Sequence, residues 1–126
     1  MSRLLGIAAC QLEVIPGEIE KNLENMVKQI ELIKYYSPWV RIIVASELIL
    51  QGSPNFIELA QKIPGPITDF CSKVAKENNI YFIPGSMYEK KGDKIYNSSP
   101  VFDDQGNIIH IYHKMYPWRP HEKTTS

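Results

Sequence analysis

Three charged residues in this sequence are spaced for chemistry at a carbonyl group. Glu47 closes the run "VRIIVASE", Lys114 closes "IIHIYHK", and Glu122 follows Lys114 across "MYPWRPHE". A carboxylate directly after a buried strand lies where open α/β folds hold their ligands, beyond the carboxyl ends of the strands. There it can accept a proton from an attacking group. A lysine in the same kind of place offers a fixed ammonium that stabilises negative charge as a carbonyl is attacked. Pro117 and Pro120 restrict the backbone between Lys114 and Glu122 and can aim the second carboxylate back at the lysine. Each residue also has a plainer reading. Glu47 could cap a helix or pair with a surface lysine, and a lysine at a strand end is usually just solvated. Trp118, between the prolines, is expected to pack rather than to stack on a ligand.

The nucleophile is harder to find. Cys10 falls inside an apolar run and Cys71 on the apolar side of a helical repeat, and both suit the inert, core-filling role of a free thiol. Ser98 and Ser99 offer hydroxyls, but no histidine–carboxylate pair stands near them in the sequence to activate them. His110 and His113 are three apart in an expected strand, so alternation sends them to opposite faces. With His121 and two distant cysteines they make no recognised metal-ligand spacing, and no metal site is expected.

The elements that must position these residues read as follows. Leu4 to Gln11 is a near-continuous apolar run, expected as a central strand covered on both faces. Pro16-Gly17 ends it. From Glu18, apolar residues at Ile19, Leu23, Met26, Val27, Ile30 and Ile33 form one helical stripe, which Ser37-Pro38 stops. "VRIIVA", Val40 to Ala45, is a second buried strand. Gly52, Ser53 and Pro54 form a loop, and "NFIELAQKI" suggests a short helix or turn. After Pro64-Gly65-Pro66, Ile67, Phe70, Cys71, Val74 and Ala75 mark a second helix, with Asn78-Asn79 as its stop. "IYFIPGSMYE" reads as a third strand, "IYNSSPVF" as a fourth and "IIHIYH" as a fifth, joined by the turns "KKGDK" and "DDQGN". The expectation is an α/β domain: a mixed sheet with both helices on one face and an apolar second face that needs a cover.

The totals bound the function. At 126 residues the chain is one domain, small for a complete metabolic enzyme. Fourteen basic residues balance fourteen acidic ones, which argues against a nucleic-acid partner. Lys90, Lys91 and Lys94, interrupted by Asp93, read as a solvated turn. Two cysteines are too few for a disulfide framework. No apolar stretch approaches the roughly 20 residues that span a bilayer, so no membrane partner is expected. Arg3 with "LLGIAAC" faintly resembles a lipoprotein signal, but its apolar part, about six residues, falls below the roughly 7–15 of a signal core. A buried strand explains the same residues better, and a reduced, cytoplasmic setting is expected.

In order, these segments resemble the nitrilase superfamily of carbon–nitrogen hydrolases, along the whole chain. "AACQ" and "PGEIEKNLENM" are similar to the family's opening strand and first helix, and "IIVASELILQG" to the segment that holds its catalytic glutamate. In that segment Ser46 stands where the family usually has proline and Ser53 where it has tyrosine. The remainder follows the family order of helix, strand, Glu, turn, Tyr-Asn-Ser, Gly turn, strand and Lys. Lys-x-x-Pro-Trp-x-Pro-x-Glu resembles the aliphatic amidase and formamidase branch.

The resemblance implies a fold, roles and a gap. Residues 1–126 would form the N-terminal half of a nitrilase-type αββα sandwich. Glu47 would be the general base, Lys114 the oxyanion stabiliser, and Glu122 the second carboxylate, holding the lysine and the substrate. The family's nucleophilic cysteine lies beyond the lysine, at a position neither Cys10 nor Cys71 matches, so the chain is expected to stop short of it. A complete relative would hydrolyse a small amide to acid and ammonia without cofactor or metal, and this chain alone would be inactive. Its expected partner is a second copy or a companion chain carrying the C-terminal half. Two alternatives stand beside this: a non-catalytic binding or assembly module of the same fold, and an independent hydrolase using Cys71 or Cys10.

Overall fold

The computed structural model describes residues 3–52 and 54–126. Ser53, read above as part of a loop, lies outside the described residues. The elements run β1 (Gly6–Cys10), α1 (Ile19–Tyr36), β2 (Val40–Ala45), a short 3-10 helix (Pro54–Leu59), α2 (Pro66–Asn78), β3 (Tyr81–Ile83), β4 (Met87–Lys91), β5 (Lys94–Phe102) and β6 (Ile108–His113). Among the described residues, no helix is long and apolar enough to cross a membrane.

Local chemistry explains most of these boundaries. The stripe on α1 buries Leu23, Met26 and Ile30 as its spacing requires. Asn22 is buried too. Its amide donates to the Ile15 and Leu50 carbonyls and its oxygen accepts the Ile15 N–H, which ties the start of α1 to the segments after β1 and β2. On α2, Pro66 stands at the start and Thr68 exchanges hydrogen bonds with Gly65. Asn79 ends that helix in the left-handed conformation, φ 52°. The turn between β5 and β6 is closed by Asp103, whose carboxylate accepts the N–H groups of Gln105 and Asn107.

The sheet is mixed. β1, β2 and β3 are parallel, and β5 runs antiparallel to them. β3 and β4 lie along one edge of β5 and β6 along the other, antiparallel to it. β6 therefore points the same way as β2.

Two expectations need correction. "IYFIPGSMYE" is not one strand but two, because Pro84 lacks an N–H and Gly85 takes φ +80°. A Cβ at Gly85 would collide with the Ser46 carbonyl oxygen, so the interruption lets the chain press against the turn that carries Glu47. β1 is not a central strand but an edge strand, and its Ile7 is 61% exposed.

Register shows why both faces of β1 to β3 are apolar. Ala8, Ile43, Phe82 and Phe102 lie in one row across four strands, and Ile43, Phe82 and Phe102 are buried in a single core with residues of both helices. The next rows over point the other way: Ile7, Ile42 and Tyr81, then Ala9, Val44 and Ile83. These are exposed or only half-buried, so among the described residues the helices cover one face of β1 to β3 and the other is left open.

Candidate active site

Glu47, Lys114 and Glu122 meet beyond the carboxyl ends of β2 and β6. Glu47 lies in the turn after β2, followed by Leu48 at φ 51°, a left-handed conformation a leucine adopts only when its surroundings enforce it. The enforcing contacts are specific. The Leu48 N–H donates to Ser86 Oγ at 3.0 Å, and the Gly52 N–H returns to the Leu48 carbonyl at 2.6 Å. Gln51, fully buried, accepts the Tyr88 N–H on its side-chain oxygen.

Lys114 is the first residue after β6, and its N–H donates to the Asn97 carbonyl on β5. Its Nζ lies 2.7 Å from Glu47 Oε1 and 2.8 Å from Glu122 Oε2. The strands β2 and β6 are separated by β3 and β5 rather than adjacent, so the two side chains bridge the end of the sheet.

Glu122 is buried and well held despite lying near the end of the chain. Its Oε2 also accepts the Trp118 N–H at 3.0 Å, and its Oε1 accepts the Asn97 amide at 2.8 Å. The segment is tied down further by Arg119, which donates to the carbonyls of Glu122 and Thr124, and by the Thr125 N–H bonded to Ile95 O. Trp118 does not pack inward as expected. It is 63% exposed, with the His121 ring 4.5 Å away.

Asn97 was missed by the sequence reading as a site residue. Its amide donates both to Glu47 Oε1 at 2.9 Å and to Glu122 Oε1, so one neutral side chain separates the two carboxylates. The signal was alternation: Asn97 faces away from Ser98 on a strand flanked by both β4 and β6. Tyr88, opposite Asn97 on β4, is fully buried, and its hydroxyl has no hydrogen-bond partner among the described residues.

The electrostatics follow from these contacts. Desolvation alone would lower the Lys114 pKa, but hydrogen bonds to Glu122 and Glu47 outweigh it and hold the ammonium above the usual lysine value. Burial alone would raise Glu122, but hydrogen bonds from Lys114, the Trp118 N–H and Asn97 bring its carboxyl below the usual glutamate value. Tyr88 is pushed up to about 12 by burial, then by the charges of Glu122 and Glu47, with Lys114 opposing. The cluster thus presents the Lys114 ammonium and the Glu122 carboxylate around neutral pH. It borders a concavity of about 320 Å³ that opens on the uncovered sheet face, lined by Val44, Ile83 and Tyr112 together with Glu47, Asn97 and Lys114.

The thiols stand elsewhere. Cys71 is fully buried on α2, its pKa pushed up to about 12 by desolvation, and burial raises Cys10 as well. Neither lines the concavity. Ser98 does have a histidine and a carboxylate beside it, contrary to the sequence reading, but in the wrong order. Its hydroxyl donates to Glu89 Oε2 at 2.6 Å, and His113 Nε2 meets the same oxygen at 2.8 Å. The carboxylate, not the histidine, faces the hydroxyl, and Ser98 is fully buried, so this is not the serine–histidine–carboxylate order of an activated nucleophile. Among the described residues, no group of three or more His, Cys, Asp or Glu side chains is arranged to hold a metal ion.

Comparison with known proteins places this geometry in a family. The profile described as "Carbon-nitrogen hydrolase" matches residues 6–126. This chain belongs to the carbon-nitrogen hydrolase family. A formamidase of Bacillus cereus (strain B4264) is 32% identical over 112 residues, which cover 84% of this chain and 33% of that protein. The omega-amidase NIT2 of Homo sapiens is 43% identical over 65 residues, 52% of this chain and 24% of that protein. Among solved structures, Saccharomyces cerevisiae Nit3, a member of branch 10 of the nitrilase superfamily, superposes with TM-score 0.86 at 24% identity, covering 97% of this chain and 48% of Nit3. At that identity the likeness speaks for the fold. This carbon-nitrogen hydrolase chain thus spans about a third of the formamidase and under half of Nit3.

Proposed function

We propose that this chain carries the base and the oxyanion-stabilising part of a carbon-nitrogen hydrolase that converts small amides to acid and ammonia. The observation that carries this is the Lys114 ammonium held between Glu47 and Glu122 at the edge of an open concavity. In the proposed reaction Glu47 takes the proton of an attacking thiol, and the thiolate adds to the amide carbonyl. Lys114 then stabilises the oxyanion of the tetrahedral intermediate. Glu47 returns the proton to the leaving nitrogen as collapse expels ammonia and leaves a thioester, which water hydrolyses to the acid, freeing the thiol. Glu122, with Asn97, keeps Lys114 charged and fixed, so no reorganisation is needed as negative charge develops. The formamidases among its relatives support a small substrate, as does the size of the concavity.

The thiol in this scheme is neither Cys10 nor Cys71, since both are buried away from the lysine. The 126-residue chain, assayed for ammonia release from formamide and acetamide, is therefore expected to be inactive. Turnover that survives replacement of both cysteines would contradict the thiol route. Turnover lost on replacing one of them would transfer the nucleophile to that residue.

A further inference from the structure

Strand β6 carries Lys114, yet little in its own burial fixes where it sits. None of its six residues is buried, and Ile109 and Tyr112 are largely exposed. A strand with so weak an inward face has its register weakly specified by apolar pattern. Among the described strands β6 pairs with β5 alone, and that pairing already contains one irregularity, between Val101 and Phe102. A slip of one residue would exchange faces, turning Lys114 away from Glu47 and bringing His113 to the site.

On the opposite face of the sheet from Lys114 lies a polar contact that a slip would break. Glu89 on β4 is 4% exposed, an uncommon place for a carboxylate. One of its oxygens receives Ser98 from β5 and His113 from β6, which are themselves paired directly across the two strands. The His113 ring stacks on Tyr96 of β5 at 4.4 Å with 14° between the planes. Ser98 is the chain neighbour of Asn97, and His113 of Lys114. Since successive side chains on a strand alternate faces, pinning Ser98 and His113 on one side aims Asn97 and Lys114 to the other.

We propose that Glu89, Ser98 and His113 are positioning residues that lock the register of β6 on β5 and so hold Lys114 and Asn97 against Glu47 and Glu122. The burial of Glu89 and Ser98 argues for that role over a nucleophilic one: Ser98 is fully buried, and its proton is directed at a carboxylate. A buried polar contact of this kind adds little net stability compared with apolar packing, but it penalises every other register by leaving a buried carboxyl group without partners. The inference rests on Lys114 serving the proposed site, but its test reads the position of Lys114 without requiring turnover.

The test uses the 126-residue chain labelled for NMR, following the titration of the Lys114 side chain and the cross-strand contacts between Ser98 and His113. In Glu89→Leu, which keeps bulk but removes the acceptor, the Ser98–His113 contacts should be lost. The Lys114 midpoint should also fall toward 10.5, the ordinary lysine value. Ser98→Ala, a milder change that retains the fold if Glu89→Leu does not, should shift Lys114 in the same direction by less. Ile30→Val, in the core on α1 and away from the contact, should leave Lys114 where it was even if it lowers stability. An unmoved Lys114 midpoint and intact Ser98–His113 contacts in folded Glu89→Leu, or in Ser98→Ala where that is the folded variant, would overturn the proposal. An ordinary Lys114 midpoint in the unmodified chain would instead overturn the Lys114–glutamate cluster, leaving the cross-strand contacts to decide the register lock.

Discussion

At the scale of residues, the site is an arrangement of charges made tolerable by neutral hydrogen-bond donors. Asn97 donates to both glutamates, and the Trp118 N–H is a further neutral donor to Glu122. Asn97→Asp would place a third carboxylate among them and remove both donated bonds. It is expected to cost about 3 kcal/mol or more in denaturant unfolding, as uncompensated buried charge does. Tyr88→Phe should behave in the opposite way. Its hydroxyl is buried without a partner among the described residues, so removing it should leave stability unchanged or raise it by up to roughly 1 kcal/mol. The pH dependence has a defined sign. The folded pKa of Glu122 lies below 4.5, so its contribution is complete above that value and is lost as pH falls through the folded pKa. That of Lys114 lies above 10.5, so its contribution is complete below that value and is lost as pH rises through the folded pKa. The stability difference between the chain and Glu122→Gln should therefore be flat between those limits and shrink at the acid end. Glu47 and Lys114 were legible in the sequence because each directly follows an apolar run. Asn97, Glu89 and His113 were not, because their roles depend on partners across strands, which no spacing along the chain encodes.

At the scale of elements, the turn after β2 and the break between β3 and β4 are built against each other. Gly85 at φ +80° lies against the Ser46 carbonyl, and Ser86 receives the Leu48 N–H. Gly85→Ala meets both a left-handed backbone and a collision with that carbonyl, so it should destabilise by more than about 1 kcal/mol. It should also displace Glu47 from Lys114, which a structure of the variant would show as a lengthened ion pair. Helix periodicity and punctuation placed α1, β2 and α2 almost to the residue, since Pro16-Gly17, Ser37-Pro38 and Asn79 act locally. The division of "IYFIPGSMYE" was not visible in that way. Pro-Gly signals an interruption, but whether a strand resumes beyond it depends on β5, which pairs with both pieces.

At the scale of the molecule, one sheet face is covered by two helices and the other is open along β1 to β3. Ile7 and Tyr81 are exposed there beside half-buried Ile42, Val44 and Ile83. Contiguous apolar patches beyond a few hundred Å² are rare on soluble monomers. The chain is accordingly expected to self-associate, and sedimentation across a concentration series should show species heavier than one chain. Replacing Ile7 and Val44 together with threonine should shift that equilibrium toward the monomer. The two apolar faces were legible as runs without alternation; which face the helices would take was not, because both carry the same kind of residue. The proposed function is tested most directly by a chimera in which residues 6–126 replace the matching segment of the 32%-identical formamidase. Ammonia release from formamide is the readout. The chimera should turn over, and Glu47→Gln and Lys114→Ala should each lower kcat by about a hundredfold or more while it stays folded. A folded chimera whose turnover is indifferent to Lys114→Ala would contradict the role of Lys114 as the oxyanion stabiliser.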